Sequence, residues 1–138
     1  MKPRKSLLLV SDTTVLYSAL AYKGPENNLL FSGRHVFVTT QFNASEIYRI
    51  VTQKRGFGHT EAIELMGSMP VLVVDNDSIL GKWKEAEDLI GGRDTSDVPL
   101  VALALTIRDH DGIWSTDKDF EAVKSRFKVW KTGELLKQ

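Results

Sequence analysis

Three short runs of nearly unbroken apolar residues punctuate the first half of the chain. They are Ser6 to Val10 (SLLLV), His35 to Thr39 (HVFVT) and Val71 to Val74 (VLVV). Runs of this length and composition predict strands covered on both faces, as in a parallel sheet. The stretches between them carry helical spacing. Thr14 to Ala21 predicts a helix, Lys23 to Asn28 (KGPENN) a loop, and Gln41 to Arg55 a longer helix. Gly56-Phe57-Gly58 breaks that helix, and Thr60 to Ser68 predicts a short one with Glu61 and Glu64 outward. Asn76 to Ile90 reads as one amphipathic helix, capped by Asp77 or Asn76 and stopped by Gly91-Gly92.

The second half is organised around Asp94 to Phe120. Pro99 suits a first helical turn, where its missing N–H costs nothing. From Pro99 to Ile107 nearly every side chain is apolar, which predicts a helix buried on most sides. Asp109 to Gly112 predicts a turn and Ile113 to Ser115 a short strand. A helix near Phe120 to Ser125, a strand over Lys128 to Trp130 and a short tail helix follow. Strands alternating with helices predict an α/β fold, a three-layer α/β/α sandwich with a mainly parallel central sheet. Residues 1–138 are read as a single domain.

Composition narrows the chemistry. Eighteen basic and eighteen acidic residues cancel, so net charge argues for neither nucleic acid nor membrane. Any contact with nucleic acid must use a local patch, or a cation that makes an acidic pocket attractive to phosphate. The absence of cysteine excludes disulfides, thiolate metal sites and a cysteine nucleophile. Leu7 to Val10 is too short for a membrane span, and a cytoplasmic setting is expected.

Charge is not spread evenly. Between Asp94 and Asp119 there are six aspartates against Arg108 and Lys118. Asp117 and Asp119 fall just past a strand's carboxyl end, where open α/β sheets place their ligands. Asp12 follows the first strand, in a position that equally suits a helix N-cap. Glu46 stands between Phe42 and Ile50 in an apolar stripe flanked by Ile47 and Val51. A glutamate there calls for a partner. Asp12, Glu46, the Asp94/Asp97 pair and the Asp117/Asp119 pair could converge at one sheet edge. Carboxylates brought that close stay charged together only with a cation among them. All-oxygen ligation favours Mg²⁺ or Mn²⁺, which would activate water and orient phosphate oxygens. His35, His59 and His110 are scattered and form no ligand motif.

These residues resemble a family. VSDTTVLYSAL (Val10 to Leu20), SEIYRIV (Ser45 to Val51), DTSDVPLVALAL (Asp94 to Leu105) and IWSTDKDF (Ile113 to Phe120), in this order and spacing, are similar to PIN-domain ribonucleases. That family includes prokaryotic toxins of toxin–antitoxin pairs and RNA-processing nucleases. The resemblance covers roughly Ser6 to Leu135 and implies hydrolysis of RNA phosphodiesters. It also implies that Asp12, Glu46, Asp97 and Asp117 are catalytic metal ligands, with Asp119 an additional ligand and Ser115 orienting the site. Thr14 stands where the family often has Asn, which bears on substrate contact and not on the metal. Lys118, with Lys54 and Arg55, is the expected source of cations for the RNA backbone. An antitoxin protein and a homodimer are further expected partners, the dimer suggested also by Trp83 and Phe57 near helix ends and glycine breaks.

Two other readings compete. A haloacid-dehalogenase-like phosphatase also begins strand–Asp, but needs a second Asp where Thr14 stands. A catalytically spent PIN fold could serve as a nucleic-acid- or protein-binding module, but would have no reason to retain the full acidic set.

Overall fold

The computed structural model describes residues 5–90 and 95–138. The predicted stop at Gly91-Gly92 and the Asp94 half of the Asp94/Asp97 pair lie outside the described residues. Five parallel strands form one sheet: β1 (Leu8–Ser11), β2 (Val36–Thr40), β3 (Val71–Val74), β4 (Ile113–Trp114) and β5 (Val129–Trp130), in the order β3-β2-β1-β4-β5. The fold is α/β, as the alternation predicts.

The two-residue repeat of a strand sends alternate side chains to opposite faces, and both faces are buried here. Leu9, Phe37 and Trp114 point to one side, where α1 (Thr13–Ala21), α2 (Pro25–Leu30), α3 (Gln41–Gln53) and α4 (His59–Gly67) supply Leu16, Leu29, Ile47 and Ala62. Trp114 is fully buried, its ring 5.1 Å from that of Phe37. Val10, Val38 and Ile113 point to the other side. There they meet α6 (Trp83–Ile90) and α7 (Val98–Thr106), in which every residue from Val98 to Ala104 is buried. α8 (Thr132–Leu136) closes the chain against the first side through Leu135.

Four expectations are corrected. KGPENN is not a loop throughout, because Pro25 opens α2 and Leu29 and Leu30 are buried in the core. Asn27 also donates to the Ala19 carbonyl at 2.8 Å, which ties α2 to α1. The β3 run is not a buried strand. It lies at the sheet's edge with β2 as its one strand neighbour, so Leu72 and Val73 are 62% and 51% exposed. Asn76 to Ile90 is not one helix. It divides into α5 (Asn76–Ile79), a 3₁₀ turn over Leu80–Lys82 containing Gly81, and α6. Its cap is Asp75, whose carboxylate accepts from the Ser78 amide at 2.9 Å. The segment after β4, Lys118–Val123, is likewise a 3₁₀ helix.

Candidate active site

Parallel strands connected by helices deliver every β-to-α turn to the same sheet edge. Asp12 therefore follows β1, Thr40 ends β2, and Ser115 to Asp119 follow β4. α7 runs back against the strands before feeding β4, so the residue just before it, Asp97, reaches this edge as well. Most of the buried polar residues gather here. Ser11, Asp12, Thr13, Thr39, Thr40, Asn43, Asp97 and Ser115 are all nearly inaccessible to solvent, at an edge flanked by an apolar core.

Asp97, Asp117 and Asp119 can each place one carboxylate oxygen within 4.8 Å of the others. Asp97 is buried and the other two reach solvent, so the group has an open side. Asp97 also stands at the N-cap of α7, yet its side chain does not cap that helix. The Asp117 carboxylate accepts from the Asp119 amide at 2.9 Å, which folds the loop back and sets the spacing of the two acids.

Ser115 joins Asp12 to this group. Its hydroxyl donates to Asp12 Oδ2 at 2.7 Å, and its oxygen accepts from the Asp117 amide at 2.9 Å. Asp12 occupies the N-cap position of α1 but makes no capping hydrogen bond of good geometry. The cap reading of Asp12 thus gives way to one in which the carboxylate faces Ser115. Burial pushes the Asp12 carboxyl up to about 6, and the negative charge of Asp117 adds to the rise. The Ser115 hydrogen bond and the Thr13 and Thr14 amides oppose it without cancelling it. Close, partly buried carboxylates with an open face form a hard, all-oxygen donor set, and the residues present fit a divalent cation.

A second buried network braces the same edge. The Thr40 hydroxyl oxygen accepts from the Asn43 amide at 2.9 Å, capping α3, and its proton goes to Asn43 Oδ1. Asn43 Nδ2 then donates to Thr13 Oγ1 at 2.8 Å. The starts of α1 and α3 are locked together by this chain of bonds. Neither Asn43 nor Thr13 is singled out by the sequence reading. The available signal was a threonine ending a strand with Asn three residues on, a helix-capping arrangement.

The structure places the other expected residues less uniformly. The core-facing residues of α3 are Asn43, Ile47 and Val51, while Phe42 is exposed and Ile50 only half-buried. Glu46 therefore sits beside the buried face of α3, not in its middle, because the true stripe is rotated by one residue. Glu46 belongs to the right sheet edge, in the second turn of α3, but it is not among the three acids whose oxygens converge. Lys118 is exposed and lies with Asp117 on the wall of a cleft of about 690 Å³. Lys54 and Arg55 are not brought to the acids. They follow α3, about 16 Å along the helix axis from Asn43, and the Arg55 guanidinium lies over the Tyr22 ring at 5.7 Å. Trp83 and Phe57 are half-buried, Trp83 with its ring 5.3 Å from that of Phe42.

No helix among the described residues is long and apolar enough to cross a membrane. A search of curated proteins finds no match to the chain. A family model for the PIN domain matches residues 10–138, a span that contains Asp12, Ser115 and all three converging aspartates, and the chain therefore belongs to the PIN-domain family.

Proposed function

We propose that this PIN domain is a metal-dependent endoribonuclease that uses Mg²⁺ or Mn²⁺ to hydrolyse RNA phosphodiester bonds. PIN domains are in general nucleases that use divalent metals, and a buried acidic cluster is present here. The observation that carries the reading is the convergence of Asp97, Asp117 and Asp119, with Asp12 hydrogen-bonded into the same group through Ser115. These carboxylates, with Glu46 entering from α3 as the family resemblance implies, would hold the cation. When bound, a divalent cation supplies an activated water and neutralises charge on the phosphate.

The chain's own residues do the positioning. Ser115 fixes one oxygen of Asp12 and the backbone of Asp117 together, so the two acids cannot drift apart independently. The Thr40–Asn43–Thr13 bonds hold the starts of α1 and α3, and with them the carboxyl ends of β1 and β2. Asp97 brings a buried carboxylate to the group formed with Asp117 and Asp119, where a bound cation would offset their combined charge.

The test is cleavage of a single-stranded RNA with Mn²⁺ by wild type and by Asp97→Asn. Cleavage should require the metal, stop in excess EDTA, and fall by at least about a hundredfold in Asp97→Asn, the range seen when one preorganised electrostatic group is removed. Undiminished cleavage in EDTA would refute the proposal. A toxin setting would show as growth arrest on expression, relieved by the product of the neighbouring reading frame.

A further inference from the structure

The cleft beside the acids does not end at them. One wall is built by Asp117, Lys118, Lys124, Lys128 and Lys131, on the side of the sheet that ends in β5. Of the two glutamates in it, Glu121 is paired with Lys124 at 2.8 Å, and Glu134 accepts from the Lys131 amide at 2.9 Å as the cap of α8. Among the described residues, Lys118, Lys128 and Lys131 make no ion pair. All three are exposed. Lys128 instead lies over the Trp130 ring at 4.5 Å.

A second cleft, of about 480 Å³, opens at the other end of the same sheet flank and contains Lys82, Arg108 and Arg126. Its acids are also engaged. Glu85 is bridged by Lys82 and Arg126, both at 3.7 Å, while Asp111 meets Lys5 at 3.8 Å and accepts from the Leu8 amide at 2.8 Å. Arg108 makes no ion pair among the described residues. The two clefts share Phe127 and Lys128 in their walls. Phe127 and Lys128 thus stand between the two clefts, and Asp117 lies in the wall of the first.

From this we infer that the two clefts form one trough, the track of a single-stranded polyanion, with Lys118, Lys131, Lys128 and Arg108 meeting successive phosphates. Cations without an ion pair, spaced along a groove, supply the electrostatic part of sequence-tolerant binding of a single strand. Lys118, Lys128, Lys131 and Arg108 complement a phosphate backbone in charge, whereas a protein partner is recognised chiefly by apolar area at the centre of its footprint. The inference rests on the nuclease reading for its end point, since a strand laid in the trough brings one phosphodiester to Asp117. It accounts for how a chain of zero net charge can hold RNA: Lys118, Lys128, Lys131 and Arg108 make no ion pair among the described residues, while Glu121 and Glu85 are paired with other cations.

The test is a triple variant, Lys128→Gln/Lys131→Gln/Arg108→Gln, made at exposed positions and checked by thermal melting. Binding of a fluorescent oligouridylate of about twelve nucleotides is measured by anisotropy in EDTA, which separates binding from cleavage. Wild type should bind, and the triple variant should bind at least tenfold more weakly. Its log–log salt slope should be shallower by about two, from roughly 0.7 per lost phosphate contact on a single strand. Lys128→Arg should keep the wild-type affinity. In Mn²⁺, the triple variant should cleave the long oligonucleotide with a KM raised at least about tenfold. Equal affinity and salt slope for wild type and triple variant would overturn the track. If that equality comes with Mn²⁺-dependent cleavage in both, the nuclease reading stands without the track. Lost binding in the triple variant, with no cleavage by wild type, would support the track and refute the nuclease. Capture of the trough by an acidic protein, with no oligonucleotide binding by wild type, would also overturn it.

Discussion

Replacing Asp12 by Asn should stabilise the protein when no divalent cation is present. Asp12 is 5% exposed, and its carboxyl is pushed from the ordinary 3.8 up to about 6, mainly by burial and then by Asp117. A carboxyl with a raised folded-state pKa binds more protons folded than unfolded. Its contribution to stability is complete below about pH 4, and it is lost as pH rises through about 6. The shift is about two units, and at 1.36 kcal/mol per unit the charged form costs about 3 kcal/mol at neutral pH. Asn is close in shape and its amide oxygen can still accept from the Ser115 hydroxyl, so the substitution removes the charge without removing the bond.

The assay is a set of thermal melts in EDTA from about pH 4 to pH 8, for wild type and Asp12→Asn. The two should coincide near pH 4. Above about pH 6 the variant should melt higher by up to about 9 °C, taking roughly 3 °C per kcal/mol for a chain of this size. Millimolar Mn²⁺ should reverse the order, because a cation bound to the native state stabilises it and the variant binds that cation less well. A variant that melts lower than wild type in EDTA at pH 8 would refute the reasoning. It would mean that Ser115 and the Thr13 and Thr14 amides outweigh burial, and that Asp12 is a structural cap after all.

Two further outcomes follow from the scaffold around the site. Gly112→Ala should lower stability by at least about 2 kcal/mol, measured by urea unfolding. The residue has φ of 130°, and an added Cβ would stand 2.5 Å from the Lys128 carbonyl and 2.8 Å from Trp130 Nε1. Asn43→Ala should cost about 1–3 kcal/mol, the penalty of leaving the buried Thr13 and Thr40 hydroxyls short of partners. If Asn43→Ala unfolds at the wild-type urea concentration, the lock between α1 and α3 is not structural.

Much of the fold is legible in the chain because the strands are short and apolar and the helices between them have helical spacing. Leu8–Ser11 and Val36–Thr40 could be placed to within two residues for that reason. Where a strand lies in the sheet is a different matter. VLVV and LLVS have the same local signal, but one ends at an edge with Leu72 and Val73 in solvent and the other is central. Side-chain type reports what a residue tolerates, and neighbours decide what covers it. α2 was hidden for a related reason. Its Lys-Gly-Pro-Glu-Asn-Asn lead-in has loop composition, and only the burial of Leu29 and Leu30 makes a helix of it.

The candidate site was legible where its acids sit at element ends, as Asp12, Asp97, Asp117 and Asp119 do. It was less so on α3, and the reason is itself informative. The apolar stripe read through Phe42 and Ile50 is one residue out of phase, because a polar residue, Asn43, occupies the true core face above Ile47 and Val51. A helix normally reveals its buried side by apolar residues alone. This one spends its first core position on bonds to Thr13 and Thr40, at the edge where Asp12 and Ser115 also lie buried. Buried polar groups are tolerated when their hydrogen bonds are made, and a network of them fixes geometry more tightly than apolar contacts do. The polar interruption that spoils the sequence pattern of α3 is thus part of what holds the carboxylate edge rigid. It also sets the phase of α3, and through it the position of Glu46 beside the buried face, one helical step from the residue that locks the edge.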